Sequence, residues 1–343
     1  MIKLYTYQDL LQPENRRQVH PLLFDLHYYE QAHSSVFQHY CLVEDPNEAD
    51  AFIFPLNYFS IPQKGYQTQY DSLYELARSN NKKLIVYTGG DYGKTFNDKV
   101  IITWRNAGFK SLNDLQTIVI PAFMSDPLER DDLVFQRHAY QEQPALSFTG
   151  FANPSFKEQL RITVSTLKAN WNRWLKKDNS DTQSVYNAAG KRFSYLKELE
   201  SNPSIQTDFI YRKKYRAGAT TQEQRKASTL EFFKNLNDAP YTFCLRGAGN
   251  FSVRFYESLA LGKIPVLIDT DVQLPLEELI EWDQHICRVA PHENVVEQLL
   301  EFHKSHTPSS FEALQISNRS LYENYLSRHA YFGKLINSLK ALL

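Results

Sequence analysis

The chain has 343 residues, 42% hydrophobic, 14% aromatic and 22% charged, with a formal net charge of −1 at pH 7. At roughly 150 residues per domain, that length suits two domains of a globular protein. The near-zero charge excludes nucleic-acid binding by bulk electrostatics, so the expected ligand is a small molecule or a carbohydrate.

The opening MIKLYTYQDLLQPENRR reads as a first strand, and as neither a signal peptide nor a membrane anchor. No run reaches the ~20 apolar residues of a membrane helix. Cys41, Cys244 and Cys287 stand far apart in apolar surroundings and read as reduced core residues. A cytoplasmic protein with no integral membrane segment is expected, with peripheral membrane association through a protein partner as a further option.

Short apolar runs suited to buried parallel strands follow in chain order: IKLYTY at 2, ADAFIFP at 49, KLIVYTG at 83, VIITW at 100, TIVIP at 117 and ALSFTG at 145. YTFCL at 241, KIPVLID at 263 and HICRV at 285 continue the series. Helical segments such as 155–168 and 221–235 lie between them, and the alternation predicts an α/β fold. Gly150, Asn153 and Pro154 interrupt the pattern, which sets domains at 1–150 and 151–308. The polar stretch 176–192 reads as a surface excursion. From Pro308 onward the chain is helical, with a capping box predicted from Ser309 to Glu312.

Two loops in the first half end buried strands. In IVYTGGDYG, Asp91 sits where carboxylates of parallel sheets face the ligand crevice. It reads as a general base, or as a turn-forming aspartate bonded to its own backbone. Asp126, in PAFMSD, is a rival base. In WRNAG, Arg105 reads as a phosphate contact or a surface residue.

GAGNFSVRFYESLALGKIPVLID, from Gly247 to Asp269, carries the densest signal. Gly247 and Gly249 allow close backbone approach to a ligand, and Asn250 tolerates left-handed geometry. Ser252 is a natural N-cap, and Gly262 suits the C′ position. The helix start between them is an anion site by its free amides and dipole. Arg254 in the first turn would stabilise charge building on a departing diphosphate. Glu257, one turn on, would accept a ribose diol, or would simply pair with Arg254.

A dinucleotide reading competes. Gly247, Gly249 and Ser252 approximate G-x-G-x-x-G, and Asp269 follows about twenty residues later at a strand end. Ser252 replaces the third glycine, however, and Arg254 adds a full charge where such sites rely on backbone amides. Asp269 to Asp271 also form a DTD that can hold a divalent ion in some sugar transferases. Of the ten histidines only His303 and His306 lie close together, on a polar helix, and they read as solvated surface. No metal site is expected.

The block YTFCLRGAGNFSVRFYESLALGKIPVLIDTDVQLPLEELIEW resembles the exostosin family of glycosyltransferases. Its strand, glycine loop, Ser252, Arg254, Glu257, Gly262, Ile264-Pro265-Val266, Leu274-Pro275 and Trp282 follow that family's pattern. EDPNEADAFIFP and LSFTG are similar to its early segment and to the strand opening its second half. The resemblance spans most of the chain and is specific between Tyr241 and Trp282.

It implies two Rossmann-like domains facing across a cleft, the GT-B arrangement. The second would hold a nucleotide sugar as co-substrate, with no other cofactor, and the first a carbohydrate acceptor. The segment 309–343 would pack back on the first domain. It further implies inverting, metal-independent transfer, with Arg254 facing the diphosphate and Glu257 the nucleoside. Arg246, Gly247, Gly249, Asn250 and Ser252 would complete the donor site. Inversion needs a base opposite the leaving group, and Asp91 is the candidate. Two features depart from the pattern. Many members begin with a membrane helix where this chain starts at a strand, which suggests a bacterial-type member serving polysaccharide synthesis, and Arg246 stands where many members have other residues. A non-catalytic donor- or glycan-binding subunit and an NAD(P)-dependent oxidoreductase are the alternative functions.

Overall fold

The structure, a computed structural model, describes residues 1–28, 35–213 and 218–343. It contains two wholly parallel sheets. The first joins β1 (Ile2–Tyr5), β2 (Tyr40–Leu42), β3 (Ala51–Ile53), β4 (Leu84–Tyr87), β5 (Ile101–Arg105) and β6 (Thr117–Val119) in the order β2-β1-β3-β4-β5-β6. The second joins β7 (Ala145–Phe151), β8 (Gln206–Arg212), β9 (Tyr241–Cys244), β10 (Ile264–Ile268) and β11 (Cys287–Val289) in the order β11-β10-β9-β7-β8. Both orders are doubly wound. Each reverses direction beside its first strand, which opens a crevice at the carboxyl ends of the strands there. The expected α/β fold of two Rossmann-like domains facing across a cleft, the GT-B type, is the observed one.

The strands are where apolar runs predict them because central parallel strands are buried on both faces. Every residue of Ile101–Arg105, Tyr241–Cys244 and Ile264–Ile268 is buried. β2 and β8 are additions. QTDFIYR of β8 has no fully buried residue and lies at a sheet edge, so it lacks the continuous apolar run of a central strand.

The boundary after residue 150 moves upstream. β7 pairs along its whole length with β8 and also with β9, so 145–150 belong to the second sheet and the crossing lies between Val119 and Ala145. The carboxyl-terminal segment divides as well. Helix Pro308–Leu321 packs beside β10 and the helix Val253–Ala260, whereas Arg328–Leu342 packs on the first sheet. There Tyr331 donates to the Val119 carbonyl at 2.9 Å, and Phe332 stacks on Trp104. The capping box is formed by Thr307 and Ser310 rather than Ser309 and Glu312, because Pro308 occupies the first helical turn.

The excursion at 176–192 is a strap. Asp181 accepts from the Thr95 amide and hydroxyl, pairs with Arg105 at 3.3 Å, and donates its own amide to the Gly93 carbonyl. The strap then enters helix Ala188–Glu200. Further polar ties join Ser111 to Asp271, Asn113 to Gln273 and Lys110 to Glu277. The apolar core of the first sheet also continues through Phe255, Tyr256, Leu259 and Trp282 of the second domain. These contacts hold the two domains across the cleft as one packed unit.

Candidate functional site

The cleft has a volume of about 980 Å³ and is lined from both domains by Asp91, Gly247, Gly249, Arg254 and Glu257 among others. It sits at the second sheet's reversal point, where β7 and β9 end side by side, the position at which open α/β sheets bind ligands.

Helix Val253–Ala260 begins there with Ser252 at the N-cap, whose hydroxyl makes no capping bond. Val253 faces solvent, whereas Phe255, Tyr256 and Leu259 are buried, so the helix's rotation is set by packing. That rotation points Arg254 into the cleft. Its Nη2 donates to the Thr149 carbonyl at 2.7 Å, and the guanidinium lies 4.5 Å from the Phe148 ring centroid. Gly262 follows with φ +67°, the left-handed C′ residue expected.

Two further arginines, not singled out from the sequence, share the cavity wall. Arg192 donates to the Phe151 carbonyl at 2.6 Å and to the Arg246 carbonyl at 3.1 Å. Arg212 donates to the Ser228 carbonyl and to Glu231, both at 2.7 Å. In Arg192, Arg212 and Arg254 alike, the Nε is buried with no partner among the described residues. Burial and then the charge of Arg254 pull Arg192 down to about 10, and Arg212 adds to the burial that lowers Arg254. Three guanidiniums that repel one another and keep spare donors are arranged to receive a polyanion.

Glu257 lines the same cavity. Burial holds its carboxyl up at about 7, and the charge of Arg254 only partly offsets this. The two residues do not form the i,i+3 ion pair weighed above, because Arg254 is turned to the Thr149 carbonyl. A carboxyl in that setting is ready to accept ligand hydroxyls.

Arg246 is buried between the rings of Phe109 and Tyr186, 5.0 and 4.6 Å away, and donates to the Ala248 carbonyl. It shapes the loop from beneath. Asn250 is not left-handed. Its amide donates to the carbonyls of Gly108, Thr270 and Asp271 while its oxygen accepts from Thr270, so it bolts the glycine loop to the first domain. A Cβ on Gly247 would meet nothing within 4 Å, whereas one on Gly249 would lie 2.4 Å from the Asp91 carbonyl oxygen. The second glycine is therefore required by the neighbouring domain.

Asp91 stands between Gly90 and Gly93, both at positive φ, and its side chain is exposed in the cleft. Unlike Asp126, whose carboxylate caps Leu128, it makes no side-chain hydrogen bond to its own turn among the described residues. Partial burial raises its pKa, with Arg246 opposing. Arg105 is neither a surface residue nor a phosphate contact. It is buried under the turn and donates to the Tyr92 carbonyl at 2.7 Å, to Thr95 and to Asp181.

The competing constellations are spent elsewhere. Asp269 pairs with Arg288 at 2.9 Å and caps the Val272 amide, and Asp271 accepts from Ser111. The glycine loop also follows the third strand of its domain, not the first as in a dinucleotide fingerprint. Asp126 forms an ion pair with Arg319 at 2.6 Å. His303 is not solvated surface. It is buried, stacked on Tyr140 at 4.4 Å and bonded to Tyr241 and the Gln141 carbonyl. Among the described residues no group of three or more histidine, cysteine or carboxylate side chains is placed to hold a metal ion, and no helix is long and apolar enough to cross a membrane.

No family model matches this chain, and no curated protein matches it. Among solved structures it is similar to a TarM variant from S. aureus in complex with fondaparinux, alpha-GlcNAc-glycerol and UDP. That likeness has 12% identity and TM-score 0.40, and covers 84% of this chain and 55% of that one. The chain thus spans a little over half the length of TarM. It is also similar to Anabaena HepE in complex with UDP, at 10% identity and TM-score 0.37, with 99% and 100% of the two chains covered. The spinosyn rhamnosyltransferase SpnG complexed with thymidine diphosphate matches at 10% identity and TM-score 0.31, covering 99% and 100%.

Proposed function

We propose that the cleft binds a nucleotide-diphosphate sugar, uridine-linked by preference, and that the protein is an inverting, metal-independent glycosyltransferase acting on a glycan or polysaccharide acceptor. The observation that carries this reading is the arginine cradle. Arg192, Arg212 and Arg254 converge at the reversal point beside the Glu257 carboxyl, and their buried Nε groups have no partner among the described residues. A diphosphate would satisfy the spare donors and relieve the repulsion, and Glu257 would take the ribose diol. The exostosin-like series Ser252, Arg254, Glu257 belongs to the same reading, as do a donor-binding second domain and a cytoplasmic setting.

In the reaction, the acceptor hydroxyl gives its proton to the Asp91 carboxylate as its oxygen forms a bond to the donor's anomeric carbon. The bond from that carbon to the diphosphate breaks on the opposite face, and its electron pair passes to the phosphate oxygen. Arg254 and the helix dipole face the charge that develops there. They stabilise it more than they stabilise the resting donor.

A thermal-shift panel of UDP-sugars, GDP-sugars and NAD(P) tests the reading. Ligand at ~100 times its dissociation constant stabilises by ~2.7 kcal/mol. A nucleotide sugar should raise the melting temperature, and NAD(P) should not. Stabilisation by NAD(P) alone would sink the proposal.

A further inference from the structure

Helix Phe156–Trp174 has two working faces. Glu158, Arg161, Ile162, Ser165 and Thr166 line the cleft. On the outer face, Phe156, Leu160, Val164, Leu167, Trp171 and Trp174 recur every three or four residues and form one continuous stripe. All six are exposed, Phe156 by 78% and Trp174 by 72%. The Trp171 and Trp174 rings pack on each other at 5.1 Å, so the stripe ends in an aromatic pair. At 1.5 Å per residue it runs for about 28 Å. An uncovered apolar run of that length marks an interaction surface.

The charges beside it identify the occupant. Lys157 and Lys168 lie along one edge of the stripe, and Lys176 and Lys177 follow its end, all exposed. Glu158 is the sole acid between residues 156 and 177, and it is engaged by Arg161. In a chain of net charge −1, this is a local concentration of cations. A second copy would bring the same cations to the contact and neutralise none of them. An anionic lipid surface neutralises them, accepts the apolar stripe, and suits tryptophans at the headgroup level.

We propose that this helix docks the protein on an anionic bilayer, lying in the plane of the interface with its stripe among the upper acyl chains. It lies on the membrane and does not span it, in keeping with the polar inner face. Docked so, the cleft wall on the helix's other face stands about one helix diameter, ~10–12 Å, above the acyl chains that take the stripe. The inference does not depend on what the cleft transfers.

The test uses the full chain with vesicles of phosphatidylcholine alone and of phosphatidylcholine mixed with phosphatidylglycerol. Co-sedimentation should be confined to the anionic vesicles and should weaken as salt rises. Brominated acyl chains should quench the fluorescence of the exposed tryptophans in the unaltered protein, Trp104 and Trp282 being buried. Replacing Lys168, Lys176 and Lys177 by Gln should cut binding on the order of 100-fold with the melting temperature unchanged. Absence of binding to anionic vesicles, or equal binding to neutral ones, overturns the proposal. So does a dimer that buries Trp171 and Trp174 and leaves the vesicles unbound.

Discussion

Gly249 and Asp91 meet backbone to backbone across the cleft, with room for a hydrogen and not for a methyl group: a Cβ on Gly249 would fall 2.4 Å from the Asp91 carbonyl oxygen and 2.8 Å from its Cα. Neither contact atom is the end of a flexible side chain, so Gly249→Ala must displace one loop. The Asp91 turn is held by Arg105 and the strap, and the glycine loop by Asn250, so the shift is shared between them. A misplacement of ~1 Å at reacting groups costs ~10² in rate. Gly249→Ala should therefore lower turnover by about that factor while donor affinity changes little. Gly247→Ala, which meets nothing within 4 Å, should be near neutral in the same assay. Equal effects of the two substitutions would show that the contact between the loops does not matter.

Arg254→Ala should lower turnover by ~10²–10³, the usual cost of one preorganised donor to developing charge. It should lower donor affinity less, because the contact strengthens as the diphosphate leaves. Excess chelator should leave the activity of the unaltered protein intact, since the guanidiniums supply the positive charge that an ion would otherwise supply. Loss of activity in chelator with rescue by manganese would remove Arg254 from that role.

Glu257 gives a pH signature. Its carboxyl is held at about 7 in the folded chain, so it loses its proton as pH rises through neutrality. Nucleotide-sugar affinity should therefore rise between pH 6 and 8, where the sugar-linked diphosphate itself does not titrate. The other groups that face it do not change charge in that range: Arg254 stays protonated, and burial pushes the Cys244 thiol up to about 12. Calorimetry should find proton release on binding near pH 7. Glu257→Gln should flatten the profile and weaken binding at pH 8 by roughly 1.5–3 kcal/mol. Stability runs the opposite way. The folded pKa is raised above the unfolded one, so this group's ionisation costs stability progressively from about pH 4.5 to 7. The Gln variant should accordingly gain on the unaltered protein as pH rises. A pH-independent donor affinity would release Glu257 from the donor site.

The central sheet strands and the Gly247 block were legible because both are written locally, whereas β2 and β8 were not. Buried parallel strands need unbroken apolar runs, and Arg254 and Glu257 lie on one face of a single short helix. Arg192 and Arg212 were not legible. Arg192 sits in a polar stretch whose helix covers the cleft, and Arg212 ends an edge strand of mixed character, so only the assembled sheet brings them to Arg254. His303 misled for a related reason. Its neighbours His306 and Lys304 are polar, but its own side of the helix packs under Tyr140 and Phe311. Asn250 and Gly249 carried the correct residue types with a different cause, since sequence shows that a loop needs a small or amide residue and not which domain presses on it.

Asp91→Asn is the substitution on which the catalytic proposal turns. Direct displacement needs a proton acceptor on the side opposite the diphosphate, and Asp91 is the first-domain carboxylate lining the same cavity as Arg254 and Glu257. Asp126 is paired with Arg319, and Asp181 with Thr95 and Arg105, and neither lines that cavity. Partial burial raises the Asp91 pKa, the direction that makes a carboxylate a better base. Asparagine keeps the size and the turn but cannot take a proton. Turnover should therefore fall by ~10²–10⁴ with donor binding and melting temperature unchanged. The acidic limb of the pH–rate profile should also lose the step that titrates Asp91. Transfer at a near-unaltered rate would make Asp91 a turn residue only, and the base would have to come from the acceptor's own surroundings.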